Sequence, residues 1–421
     1  MKFKKRFIYL MVAGGLLAPT VGMTQEARIA ELERKVEILT QELERNSLQD
    51  AFAPPGDSVY GLGPAASKVY STDQGVSIGG YGEALYENFT GDNASSADFL
   101  RGVIYLGYKY DEKWILNTEI EFEHASTSKE GSASVEFAYL DYLHKPGLNF
   151  RVGLLLVPVG LVNELHEPVS FLGARRPDSE NRIIPTTWRE NGLGIFGDIG
   201  DISYKVYLVN GLRGENFSAK GLRGGRQKGS EAVADDLAIV ARADWSPAPG
   251  LTLGTSLYTG SSGQDLDVGA ATEIIEAHLD WHHKALLIRA LVTRARVDNV
   301  DELNRAIATI NAPEGEAVVD ADIDSIGEEL SGWYLEIGYD RPLGEKDASL
   351  TPFARIESYD TQESVPAGFK AVSGTYDVDV VTVGVNYKPR AEIVFKADYQ
   401  FYDSADSSVA DQFNLAMGYI F

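Results

Sequence analysis

The sequence predicts an all-β chain: a sixteen-stranded antiparallel transmembrane β-barrel preceded by a short periplasmic coiled-coil helix. Three observations predict it. The chain opens on a secretory signal, and no later stretch of about twenty consecutive apolar residues could cross a membrane as a helix. From Val76 onward, alternating segments are joined by connections that are short and long in turn. The last segment puts Phe413, Leu415, Met417, Tyr419 and Phe421 on one face, because side chains alternate along a strand, and it closes on an aromatic.

The elements follow in order. Lys2, Lys4, Lys5 and Arg6 precede the apolar run Phe7–Leu17 and a small-residue region, which reads as a signal peptide over residues 1–24. Residues 25–46 read as a helix. Ile29, Leu32, Val36, Leu39 and Leu43 are spaced three and four apart, the seam of a coiled coil, and serve as an oligomerisation stripe. β-Branched residues at a and leucines at d favour two strands, whereas the barrel argument below favours three. Residues 47–75, rich in Pro, Gly, Ser and Ala, read as a linker. The barrel then occupies residues 76–421.

Composition agrees. The chain has no cysteine, so an exported protein of this size is held by packing or by a closed ring of backbone hydrogen bonds. Its net charge is −24, and loss of the four signal cations takes it to −28, which excludes a nucleic-acid partner.

Parity phases the strands. Leu100, Ile104, Leu106 and Tyr108 face lipid, which turns Arg101 inward; Leu116, Ile120 and Phe122 do the same for Glu119, Glu121 and Glu123. Similar reasoning turns Arg151, Lys205, Arg242, Arg289, Arg355 and Lys396 into the lumen, with Glu276, Asp280, Glu336, Glu357 and Asp398. A charge on the lipid face costs about 2–4 kcal/mol at mid-bilayer, so this consistency supports the barrel. A sixteen-stranded ring also leaves an aqueous channel.

The third long connection, Pro158–Glu190, carries Arg175, Arg176, Arg182 and Arg189, five carboxylates, His166, Trp188 and four stiffening prolines. A connection of this length points to a role. Folded into the barrel, its arginines and the wall residues Arg101, Arg151 and Arg242, opposed by Glu119 and Glu121, would form a constriction with a field attractive to anions. The same arginines could instead pair with the connection's carboxylates and hold its shape. The acidic stretch 298–330 reads as a solvated external loop, with Asp320, Asp322 and Asp324 only weakly resembling a calcium loop. His278, His282 and His283 have no partnered serine nucleophile, and alternation splits them between two faces. No enzyme activity, metal or cofactor is expected.

The segments Gly153-Leu154-Leu155-Leu156-Val157-Pro158-Val159-Gly160, Asn163-Glu164-Leu165-His166-Glu167-Pro168 and Ile183-Ile184-Pro185-Thr186-Thr187-Trp188 resemble trimeric porins of the phosphate-selective O and P type. They also resemble related porins that carry a short N-terminal coiled coil and take up dicarboxylates. The resemblance implies a homotrimer in the outer membrane of a Gram-negative bacterium, in contact with lipopolysaccharide. It implies passive uptake of small hydrophilic solutes, including anions, and a terminal strand read by the barrel assembly machinery. The chain lacks the dense lumenal ladder of cations found in the phosphate-selective members, so a general or weakly anion-preferring pore is expected. The alternative is a structural or adhesive barrel whose helix contacts the cell-wall layer.

Overall fold

A computed structural model describes residues 29–38, 55–91, 94–126, 131–313, 318–344, 347–372 and 374–421. The chain divides into two units, residues 1–50 and 51–421. In the first, residues 29–38 are helical, braced by an ion pair of 2.9 Å between Lys35 and Glu31 one turn apart. Ile29, Leu32 and Val36 are all exposed along it. Leu39 and Leu43, like the export signal, lie outside the described residues.

In the second unit the alternating sequence closes on itself. The strands are β1 (Gly75–Phe89), β2 (Ser96–Lys109), β3 (Trp114–Glu123), β4 (Ser132–Lys145), β5 (Leu148–Leu156) and β6 (Arg189–Ile199). They continue through β7 (Ile202–Asn210), β8 (Leu237–Ala248), β9 (Leu251–Ser261), β10 (Ala271–His283), β11 (Leu286–Val297) and β12 (Glu329–Tyr339). A two-residue piece, β13 (Arg341–Pro342), precedes β14 (Ser349–Ser364), β15 (Asp377–Arg390), β16 (Ile393–Ser404) and β17 (Gln412–Ile420). Apart from β13 these are sixteen spanning strands, each antiparallel to its chain neighbour. The ring closes between β1 and β17, with Tyr81 opposite Ile420 and Phe89 opposite Gln412. Beyond that ladder, Phe421 and Gly80 exchange backbone hydrogen bonds of 2.9 and 3.1 Å. Closure satisfies the edge groups that hydrocarbon could not.

The outer surface is the apolar one. Ile104, Leu106, Phe122, Val152, Leu193, Ile239, Val292, Ile356, Val383 and Leu415 are exposed on it. Near the short turns an aromatic band forms: Tyr108 touches Tyr110, and Trp114 and Phe150 both touch Tyr142. Every inward charge assigned by parity is turned away from this surface, including Arg355, Lys396, Glu276 and Glu336.

The interior is more filled than an open channel. Leu62, Ile183, Ile184, Trp188, Leu212, Leu222 and Leu303 are all buried in one cluster with wall aromatics such as Tyr81, Phe137 and Tyr258. These apolar residues come from connections that fold inward, which parity does not locate. The acidic stretch likewise contains a helix, Val300–Asn311, that buries Val300 and Leu303.

Candidate functional site

Two segments enter the barrel. The first is the described part of the expected linker. Residues 59–71 turn back on themselves, and the small residues Gly63, Ala65 and Ala66 let the backbone reach the lumen. A Cβ at Gly63 would overlap the Glu167 carboxylate. The amides of Ala65 and Ala66 donate to Glu167 at 2.9–3.2 Å, and Asn117 donates to the Ala66 carbonyl at 2.9 Å. A short helix, Lys68–Ser71, then brings Tyr70 onto Asp141 at 2.7 Å.

The second is the third long connection, residues 157–188. Arg189 and Glu190, expected in it, begin β6 instead. The connection crosses to the far wall, where wall cations bind its backbone. Arg289 donates to the Ser170 carbonyl at 2.8 Å, Lys388 to Val169 at 2.8 Å, and Lys396 to Phe171 and Gly173 at 3.0 and 2.8 Å. Asp398 accepts from the Ala174 amide and Glu357 from the Ser179 amide. Glu180 folds the connection on itself by accepting from the Leu161 and Val162 amides at 2.9 Å and from Tyr334 at 2.7 Å. Burial raises the Glu180 pKa, and those donors oppose the rise. At its end Trp188 is fully buried against Tyr258.

The arginines singled out from sequence divide into two groups. Arg151 makes a two-pronged pair with Asp141 at 2.7 and 2.9 Å, between the rings of Tyr139 and Phe196. Arg242 bonds Asp244 at 2.8 Å and the Gly160 carbonyl at 2.5 Å. Arg189 bonds Glu136 and Ser134, both at 3.1 Å. Arg101 lies between Glu83 and Glu121 at 3.3 and 3.4 Å, and Arg175 pairs with Glu87. These five have carboxylate partners. Arg176 instead bonds the Thr187 hydroxyl at 3.3 Å, and Arg182 reaches Tyr359. Glu119 lies beside His166.

Sequence reasoning missed three participants. Arg223 donates to the Thr186 carbonyl at 2.8 Å, and Arg226 to the Thr186 and Thr187 carbonyls at 2.9 and 2.7 Å. Neither has a carboxylate partner among the described residues. Burial, with repulsion from neighbouring arginines, pushes both below the usual guanidinium range. The run Arg213, Lys220, Arg223, Arg226 and Lys228 in a single connection was the signal that could have found them. The third is Glu136. Between Glu119 and Ile120 the ladder slips from Phe137 to Val135, so Glu136 is extra, and both it and Phe137 are buried.

A cavity of about 860 Å³ lies between the connection and the wall formed by β1–β3. Glu83, Glu87, Asp98 and Glu123 line the wall side, while Arg175, Arg176 and Arg223 line the other. Arg101 also lies on the wall side and Asp178 on the other, so carboxylates predominate on one flank and guanidinium groups on the other, with Thr186 and Thr187 also lining the space.

No family model matches the chain. An uncharacterized protein of Aquifex aeolicus is 38% identical over 371 residues, which cover 86% of this chain and 83% of that protein. Among solved structures, OmpF of Salmonella typhi superposes with a TM-score of 0.56 at 13% identity, covering 83% of this chain and 98% of its own. The outer membrane channel DcaP of Acinetobacter baumannii gives 0.51 at 15% identity, covering 82% and 97%. OmpT of Vibrio cholerae in its trimer form gives 0.51 at 12% identity, covering 82% and 99%. The barrel therefore has the architecture of the outer-membrane porins.

Proposed function

The chain belongs to one family with the uncharacterized Aquifex aeolicus protein, and we propose that it is an outer-membrane porin, a passive diffusion channel for small hydrophilic solutes. The carrying observation is the cavity flanked by opposed charges inside a closed barrel with an apolar exterior. Charges of opposite sign across a narrow wet space orient dipolar solutes and exclude apolar ones. Arg176, Arg223 and Arg226 carry no carboxylate partner among the described residues, which supports an anion preference. Arg151 and Arg242 act in this reading as braces for the segments that narrow the lumen.

The working unit is a homotrimer in the outer membrane of a Gram-negative bacterium, with the N-terminal helix in the periplasm. The exposed Ile29, Leu32 and Val36 of that helix suit association with other copies. The apolar stripe that ends at Phe421 suits recognition by the assembly machinery, and the outer acidic residues suit cation-bridged contact with lipopolysaccharide. No catalysis is proposed: His278 bonds Asp244, Glu276 and Arg242, which suits bracing rather than activation of a nucleophile. Swelling of liposomes loaded with the purified protein tests the reading. Sugars of increasing size should enter at falling rates; swelling no faster than in empty liposomes would overturn it.

A further inference from the structure

His166, Glu119 and Glu136 come from three places, the third connection, β3 and the β4 bulge, and meet inside the barrel. Each is at least nine-tenths buried. The His166 Nδ1 lies 2.8 Å from the Asn163 carbonyl, so it carries a proton and donates. In the neutral ring this leaves Nε2 as a lone pair. That lone pair faces Glu119 Oε1 at 3.3 Å and Glu136 Oε2 at 3.4 Å, two groups that also only accept when ionised. Three acceptors converging in a buried space require a cation or a proton among them.

The spacing favours a cation. A charge-assisted hydrogen bond from imidazolium to carboxylate is about 2.7–2.9 Å long. Ligand atoms about 2.0–2.1 Å from a tetrahedral ion lie roughly 3.3–3.4 Å apart. The other Glu119 oxygen, Oε2, and Glu136 Oε2 itself have no hydrogen-bond donor among the described residues. The Tyr81 hydroxyl, also buried and without a partner there, adjoins the group across the His166 ring. Arg189, 3.1 Å from the other Glu136 oxygen, offsets part of the negative charge of the group. A set of one imidazole and two carboxylates, with its second nitrogen fixed by a carbonyl, suits a divalent transition ion of the zinc class better than magnesium or calcium.

We propose that Glu119, Glu136 and His166 hold such an ion and that it ties the third connection to the barrel wall. Zinc is the probe. Protein extracted from membranes without chelators, then dialysed against zinc and washed, should retain it in equimolar amount by elemental analysis. X-ray absorption at the zinc edge should show one nitrogen and at least two oxygen ligands. The His166→Ala and Glu136→Gln variants should lose the retained zinc while keeping the heat-resistant electrophoretic mobility of a folded barrel. If the variants fail to fold, the absorption spectrum of the unaltered chain still decides. Zinc absent from the unaltered chain, retained equally by the folded variants, or bound only by oxygen overturns the proposal, and a proton shared among the carboxylates then explains the cluster.

Discussion

Arg176 and Arg223 differ from the carboxylate-paired arginines in what they bond, and the difference predicts what each does. Arg151 with Asp141 is a buried two-pronged pair. Removing one member of such a pair strands the other charge, so Asp141→Ala should destabilise by about 3–5 kcal/mol. The urea midpoint for unfolding from lipid vesicles measures this, and a double replacement, Arg151→Met with Asp141→Leu, should recover much of the loss. Arg176 and Arg223 donate only to hydroxyl and carbonyl oxygens. Their joint replacement by alanine should leave folding intact and shift the reversal potential in a salt gradient away from anions. Arg175→Ala should shift it less, since that residue already pairs with Glu87.

At the scale of elements, strands were legible in the sequence and inward connections were not. A period of two, punctuated by short turns, locates all sixteen spanning segments, with end shifts such as β14 running to Ser364 rather than residue 360. Parity also phases the wall charges, because a misplaced one would sit in lipid. It fails at Glu136, where the bulge adds a residue and breaks the alternation. It says nothing of Arg223 and Arg226, whose connection has no period at all. The linker reading of residues 47–75 followed composition: Pro, Gly and Ser read as flexible, yet the small residues at 63–66 are what allow the backbone to seat on Glu167. Deleting residues 55–71 removes Tyr70 and Leu62 from the interior but no strand pairing, since β1 is held by β2 and β17. The truncated protein should fold and conduct more current per channel than the full chain.

At the largest scale, the barrel unit of residues 51–421 is a ring with its solvent preference inverted: apolar outside, charged and braced inside. Its stability depends on that inversion. Ile104, on the outer face of β2, should cost about 2–4 kcal/mol when replaced by arginine, read from the denaturant dependence of folding into vesicles. The inversion also accounts for the crowded interior. Arg289 and Lys396, placed inward by parity, join Lys388 in holding the third connection across the lumen rather than lining an open bore. One cavity beside β1–β3 is lined by Arg176 and Arg223. Single-channel recording in a planar bilayer tests this most directly. The account predicts discrete openings of the purified protein whose anion preference falls in the Arg176→Ala, Arg223→Ala variant; a bilayer that stays silent at every voltage would contradict it.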